Sequence, residues 1–343
     1  MRCVSRVWLI PMALALVVAP LRAQSAVAPL DRLRLQIEEA ILAARGDVGV
    51  SIKHLESGLE LGVRASEPFP MASTVKVPIL VELFAQERAG RIRLDEMYTL
   101  TPNDQHIGSG DLSVNFDVPG VALSVRNLAN LMMMISDNSA TDILLTRLGA
   151  GHVASRMRAL GLNGMRVDRT TQELILDYGG QDTERLKGML LQELRPLIRR
   201  PPEDEAQRLA RDTRLANDPR DQASPRDMTR LFELLWRGEV VDKAASAEML
   251  EIMKRCRTGA NRIKGLLPRG TEVAHKTGSL GGTIDDVGII YLPHGAGHLA
   301  ISVLSKRTMA DGPDVERAIA EIARYAYDYF LFTSADSGSR SRQ

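Results

Sequence analysis

The chain has 343 residues, a formal net charge of +1, 44% hydrophobic residues and 25% charged residues. That length can bury a sizeable core. The near-neutral balance and 4% aromatics exclude the basic, base-stacking face that a nucleic-acid partner requires. The chain opens with Arg2 and Arg6, an apolar run from Trp8 to Ala19, and Leu21-Arg22-Ala23. This pattern predicts a signal peptide over residues 1–23, with cleavage after Ala23. The run is short for a bilayer span, with an uncleaved anchor as the minor alternative. The expected product is therefore exported, periplasmic or secreted, with no stable membrane insertion after cleavage. Cys3 would leave with the signal, so Cys256 would be alone and no internal disulfide can form. Cys256 lies in EMLEIMKRCRTG and reads as a helix residue.

The spacing of Leu33, Ile37, Ile41 and Leu42, with Gly46 as a stop, predicts an amphipathic helix over 31–46. Residues 48–63 alternate, are rich in β-branched side chains and are broken at Ser57-Gly58, which predicts a β-hairpin. A long, mostly helical region follows, roughly 73–265. The segments HKTGSLGG, DVGIIYLP and HLAISVLSK predict three late strands, and 313–332 a closing helix. The expected fold class is an α/β (α+β) sandwich. Its antiparallel sheet is built from both ends of one domain, 29–332, and flanked by the terminal helices. An all-helical lobe, 67–265, is inserted between the α/β parts 29–66 and 266–332. Residues 178–222 carry a Pro-Pro pair and dense charge, and read as a partly helical, partly mobile surface insertion, with a possible helix over 183–197. Residues 333–343 read as a disordered tail.

Three motifs carry chemistry. In MASTVKVPIL, Ser73 and Lys76 share one helical face. A hydroxyl near a helix start, beside a lysine desolvated enough to lose its proton, is an activated nucleophile. In ISDNSATDILL, Ser136, Asp137 and Asn138 interrupt two apolar helical runs. They are good turn and cap residues, but the flanking runs should carry them inward, where polar groups need partners. HKTGS, residues 275–279, sets a cation, a hydroxyl and a glycine on a strand, where glycine often marks close approach. Each motif alone has a plain structural explanation. Their order and type together do not.

The ordered set Ser-x-x-Lys, Ser-Asp-Asn and Lys-Thr-Gly resembles that of the serine β-lactamase and penicillin-recognising enzyme family, class A branch. The resemblance spans nearly the whole chain after the signal. It implies Ser73 as the acyl-forming nucleophile, Lys76 as an aid to its deprotonation and Ser136 as a proton relay to the leaving nitrogen. It implies Asn138 for the substrate side-chain amide and Lys276 and Thr277, in Lys276-Thr277-Gly278-Ser279, for the substrate carboxylate. The backbone N–H groups of Ser73 and Ser279 would form an oxyanion hole. In TGANRIKGLLP, Arg262 falls where some members place a carboxylate-binding arginine, and Val287 falls where others supply it from the strand.

One motif departs from the family. Class A enzymes clear the acyl-enzyme with a glutamate in Arg-x-Glu-x-x-Leu-Asn, whereas this chain reads VDRTTQELILDYGG. Aligned on Asp168-Arg169, the glutamate position holds Thr171 and the asparagine position Ile175. Aligned on Glu-x-x-Leu, Glu173 takes the role, Leu176 matches and Asp177 replaces asparagine. The second register makes Glu173 the expected deacylation base, and a carboxylate there decides whether the acyl-enzyme turns over. The six histidines show no helical i, i+4 pair; His294 and His298 flank a Pro-Gly turn. No metal or cofactor is implied. The expected activity is opening of β-lactam rings through acyl-Ser73. Two competitors use the same residues: a peptidase or esterase acting on D-Ala-D-Ala-like substrates, and a protein that is acylated and turns over slowly. The expected partner is a small β-lactam or peptidoglycan-like molecule, and nothing demands more than a monomer.

Overall fold

The computed structural model describes residues 29–116, 118, 120–198 and 203–340. The expected signal peptide lies outside the described residues. The helices are α1 (Pro29–Leu42), α2 (Lys76–Arg88), α3 (Val125–Met134), α4 (Asn138–Leu148), α5 (Ala150–Ala159), α6 (Thr171–Tyr178), α7 (Thr183–Leu186), α8 (Leu191–Leu197), α9 (Glu205–Asn217), α10 (Pro225–Arg237), α11 (Lys243–Lys254) and α12 (Gly312–Arg340). The strands are β1 (Asp47–His54), β2 (Glu60–Val63), β3 (Phe69–Pro70), β4 (Met97–Thr99), β5 (Ala122–Ser124), β6 (Gln222–Ala223), β7 (Val273–Leu280), β8 (Thr283–Tyr291) and β9 (His298–Lys306).

The main sheet is antiparallel, in the order β2-β1-β9-β8-β7, so both ends of the chain build it. Val48, Val50 and Ile52 on β1 and Leu299, Ile301 and Val303 on β9 meet α1 and α12 on one face. Helix α1 contributes Leu33 and Ile37, each fully buried and together worth roughly 3–6 kcal/mol of apolar transfer. The other face packs against α10 and the inserted helices. Helix α2 is buried from Lys76 to Gln86, which explains its nearly unbroken apolar run: a helix packed on all sides has no face left for water.

Strand β7 is the edge of the sheet, and its outer backbone groups face the turn that precedes α2. This puts the Lys276 strand beside Ser73.

Several elements differ from the sequence reading. The described residues of 178–222 are partly helical, as read, but are also tied to the core: Asp204 and Gln207 form a capping box that starts α9, and Leu215 packs with Leu174 and Tyr178 of α6. The helix expected over 183–197 is split into α7 and α8, with Gly188 at positive φ between them. Helix α12 runs on through Arg340 rather than ending at Phe332, because no proline interrupts 333–340 and Gly338 alone does not stop it; residues 341–343 are outside the described residues. Cys256 lies just beyond α11, after the Arg255 cap, and is buried.

Candidate active site

Ser73 sits not in α2 but in a 3₁₀ turn, Ala72–Val75, that feeds it. Thr74 closes this turn by donating both its N–H and its hydroxyl to the Met71 carbonyl, at 2.9 and 2.7 Å. Ala72 at φ 43° and Ser136 at φ 61° are held in the left-handed region, a strain of about 1–3 kcal/mol each that the surrounding packing must sustain. Both residues line one cleft of about 350 Å³.

Lys76 begins α2, and its amine is fully buried. The nitrogen donates to the Ser136 carbonyl at 2.7 Å and to Asn138 Oδ1 at 2.8 Å, and lies 3.0 Å from Ser136 Oγ and 3.2 Å from Ser73 Oγ. Burial, aided by the positive charge of Lys276, holds its pKa well below that of an ordinary lysine. In the neutral amine, the two obligate acceptors take its two N–H groups. Its lone pair is then left for a serine O–H.

Asp137 caps α4, accepting from the Ala140 N–H at 2.8 Å and, through its second oxygen, from the Leu112 N–H at 2.9 Å. With Asp137 spent on capping, its neighbours Ser136 and Asn138 turn into the cleft. Asn138 is fixed at both ends, since its amide nitrogen donates to the Ile107 carbonyl at 3.0 Å. Lys276 on β7 donates to Ser136 Oγ at 2.9 Å. Burial lowers its pKa to about 8. Lys276 is itself fully buried behind the cleft wall, so its charge acts through Ser136, while Thr277 and Ser279 face the opening. Gly278 does not line the opening. A Cβ there would stand 2.7 Å from the Met71 carbonyl, so the strand can approach the nucleophile turn only with glycine at this position.

Three sequence-distant clusters thus meet around one serine hydroxyl. A family model described as "Beta-lactamase enzyme family" matches residues 32–330. The chain belongs to this family. It is 24% identical over 341 residues to the β-lactamase VEB-1 of Pseudomonas aeruginosa, covering 96% of this chain and 99% of that protein. It is 26% identical over 316 residues to the extended-spectrum β-lactamase PER-1 of the same organism, covering 90% and 89%. Among solved structures, a β-lactamase from Chitinophaga pinensis DSM 2588 superposes with a TM-score of 0.71 at 27% identity, covering 87% of this chain and 98% of that one. A β-lactamase from Sphaerobacter thermophilus DSM 20745 gives 0.70 at 25%, covering 88% and 97%.

This β-lactamase-family cleft differs from the sequence expectation at Glu173. The Glu173 carboxylate turns back on its own helix: Oε2 accepts from the Thr170 N–H at 2.8 Å and the Thr170 hydroxyl at 2.9 Å, forming a capping box. It does not line the cleft. Thr171, Leu174 and Ile175 do, and no carboxylate is among the lining residues. Thr171 thus lines the cleft where the sequence reading expected Glu173, and the loop that carries both is anchored by Arg169. Its buried guanidinium pairs with Asp177, Asp218 and Asp221, tying both ends of the loop together. The Thr171 hydroxyl is buried without a hydrogen-bond partner.

Sequence reasoning missed Asp142, which clasps this loop. One oxygen accepts from the Thr171 N–H at 2.7 Å; the other accepts from the Gln172 N–H at 3.0 Å and lies 2.7 Å from His106 Nδ1. Burial works against charge on His106, but the Asp142 carboxylate raises its pKa above the ordinary value. An acid four residues after Asn138, on one face of a helix beginning in the cleft, was the available signal.

Arg262 reaches the cleft rim. Its guanidinium donates to the Gly278 and Asp285 carbonyls, both at 2.8 Å, to Ser279 Oγ at 2.7 Å and to Glu316 at 3.0 Å. Val287 is buried on β8 opposite Lys276, so the rim arginine comes from residue 262 alone of these two positions.

Proposed function

We propose that this protein opens the amide bond of β-lactams by acyl transfer to Ser73, and that hydrolysis of the acyl-enzyme limits turnover. The observation that carries this reading is the Lys76 amine, buried and held between Ser73 Oγ and the acceptors Ser136 O and Asn138 Oδ1. A neutral Lys76 takes the Ser73 proton as Oγ attacks the lactam carbonyl. The oxyanion forms against the N–H groups of Ser73, in its 3₁₀ turn, and Ser279, on the edge strand. Ser136, polarised by Lys276, passes a proton to the departing nitrogen. Asn138 orients the acylamino side chain, and Thr277, Ser279 and Arg262 receive the carboxylate.

Slow deacylation follows from the cleft lining. Thr171 supplies no base at neutral pH, so water must attack the ester without a positioned carboxylate. A general base is typically worth 10²–10⁴-fold. The protein is read as an exported monomer, since its N-terminal residues have the signal pattern; among the described residues no helix is long and apolar enough to cross a membrane.

Stopped-flow mixing with the chromogenic β-lactam nitrocefin, followed by intact-mass analysis, tests this. The expected result is a burst of one equivalent, a slow steady state and a mass adduct that Ser73→Ala abolishes. Undiminished turnover by Ser73→Ala would remove Ser73 from the reaction. A D-Ala-D-Ala peptide cleaved with no β-lactam adduct would select the peptidase reading instead.

A further inference from the structure

Arg262 lines the cleft, yet little of it is free to bind a substrate carboxylate. A guanidinium carries five N–H donors. The Nε–H goes to Glu316 at 3.0 Å, the two N–H groups of Nη1 go to the Gly278 and Asp285 carbonyls at 2.8 Å each, and one N–H of Nη2 goes to Ser279 Oγ at 2.7 Å. One N–H is left. The residue is only 8% exposed, so these four bonds hold it in one place. Gly278 and Asp285 are directly opposed on β7 and β8, and a single nitrogen staples the two strands at that pair.

The Gly278 carbonyl and the Ser279 N–H belong to one peptide unit. That unit is planar and trans, so its C=O and N–H point in opposite directions. The carbonyl meets Nη1 on the β8 side, where the Asp285 carbonyl meets it too. The Ser279 N–H is therefore turned to the other side of β7, the open edge that faces the Ser73 turn. A cationic donor on the carbonyl also draws electron density from the peptide nitrogen, which makes the N–H a stronger donor. Hydrogen bonds in series strengthen one another by roughly 10–30% each, and a charged first donor is at the strong end.

We propose that Arg262 is a positioning residue for the oxyanion hole: by gripping the Gly278 carbonyl it fixes the plane of the 278–279 peptide and polarises the Ser279 N–H. This deepens, and rests on, the acyl-Ser73 reading. It gives Arg262 a part in acylation that needs no substrate carboxylate. As Ser73 Oγ attacks, negative charge develops on the lactam oxygen, and a fixed positive charge one peptide unit away meets it without reorganising. Glu316, on α12, belongs to the same device. It does not line the cleft, and its bond to the Nε–H keeps the guanidinium turned to the strand.

The test uses the full chain, acylated by benzylpenicillin and, separately, by its methyl ester, which has no free carboxylate. In Arg262→Ala, acylation by the ester should slow about tenfold, short of the 10²–10³-fold that loss of a whole oxyanion donor costs. Infrared difference spectra of the acyl-enzyme give a second readout, because a hydrogen bond to the ester carbonyl lowers its stretching frequency. The band should move to higher frequency in Arg262→Ala and, by less, in Glu316→Ala, which keeps the arginine. Leu33→Ala, a core change on α1, should lower the unfolding midpoint and leave the band in place. In a folded Arg262→Ala, an unmoved band or unchanged acylation by the ester overturns the proposal alone, and the arginine then serves the carboxylate only. If Arg262→Ala does not fold, Glu316→Ala decides, and an unmoved band there overturns the proposal. No adduct between the parent and benzylpenicillin overturns the acyl-Ser73 reading and this one with it.

Discussion

Placing a carboxylate at Thr171 should convert a slow acyl-enzyme into a faster hydrolase. Thr171 lines the cleft, its hydroxyl has no partner, and its backbone is pinned by Asp142, so an acid at this position adds a carboxylate to the wall of the cleft that holds Ser73. A positioned general base contributes about 10²–10⁴-fold, or roughly 3–5 kcal/mol at 1.36 kcal/mol per decade. Two opposing effects place Thr171→Glu near the lower end. The residue is 5% exposed, so its carboxylate is partly desolvated, and a larger side chain in a packed loop costs about 1–3 kcal/mol of stability. The expected outcome is deacylation about 100-fold faster, with the acylation constant within a few-fold of the parent. The assay is the decay of the benzylpenicillin adduct by intact mass after excess ligand is removed, alongside thermal unfolding to show that the fold survives. An unchanged adduct lifetime in a folded, normally acylated Thr171→Glu would refute the assignment of slow deacylation to the missing acid.

Glu173→Gln should leave adduct lifetime and nitrocefin turnover unchanged and lower thermal stability modestly, up to about 1 kcal/mol, because only the cap to Thr170 is weakened; a 100-fold fall in turnover would restore Glu173 as the base. Lys76→Met should slow acylation by about 10²–10⁴-fold without loss of fold, since it removes the amine between Ser73 and Ser136 while keeping its length; rapid-quench acylation rates decide this. The raised His106 pKa makes its pairing with Asp142 a low-pH stabiliser. Its contribution is fully present below the ordinary histidine value of about 6.5 and is lost as pH rises through the higher folded value. Unfolding midpoints measured across pH should therefore fall over that range in the parent and stay flat in His106→Asn, and a parallel pair of curves would count against the pair's role.

The sequence alone determined most of the scaffold. Apolar spacing located α1 and the closing helix, alternation located the β1–β2 hairpin, and the late β-branched segments became β7, β8 and β9. These patterns are local, because each element must present one face or stripe to a core, and that requirement is written at fixed periods. The motifs around Ser73, Ser136 and Lys276 were legible through their order and type: each alone has a plain structural explanation, and only the set resembles the family's. Only the tertiary structure placed Thr171 in the cleft lining and turned the Glu173 carboxylate back onto Thr170. Both registers satisfy the local sequence, and the placement of the two side chains is set by Asp142 holding the Thr171 amide and by the Thr170 cap that takes the Glu173 carboxylate. Contacts such as that of Asp142 with Thr171 join residues far apart in the chain. Their chemistry depends on distance and burial, which no periodicity along a single segment encodes.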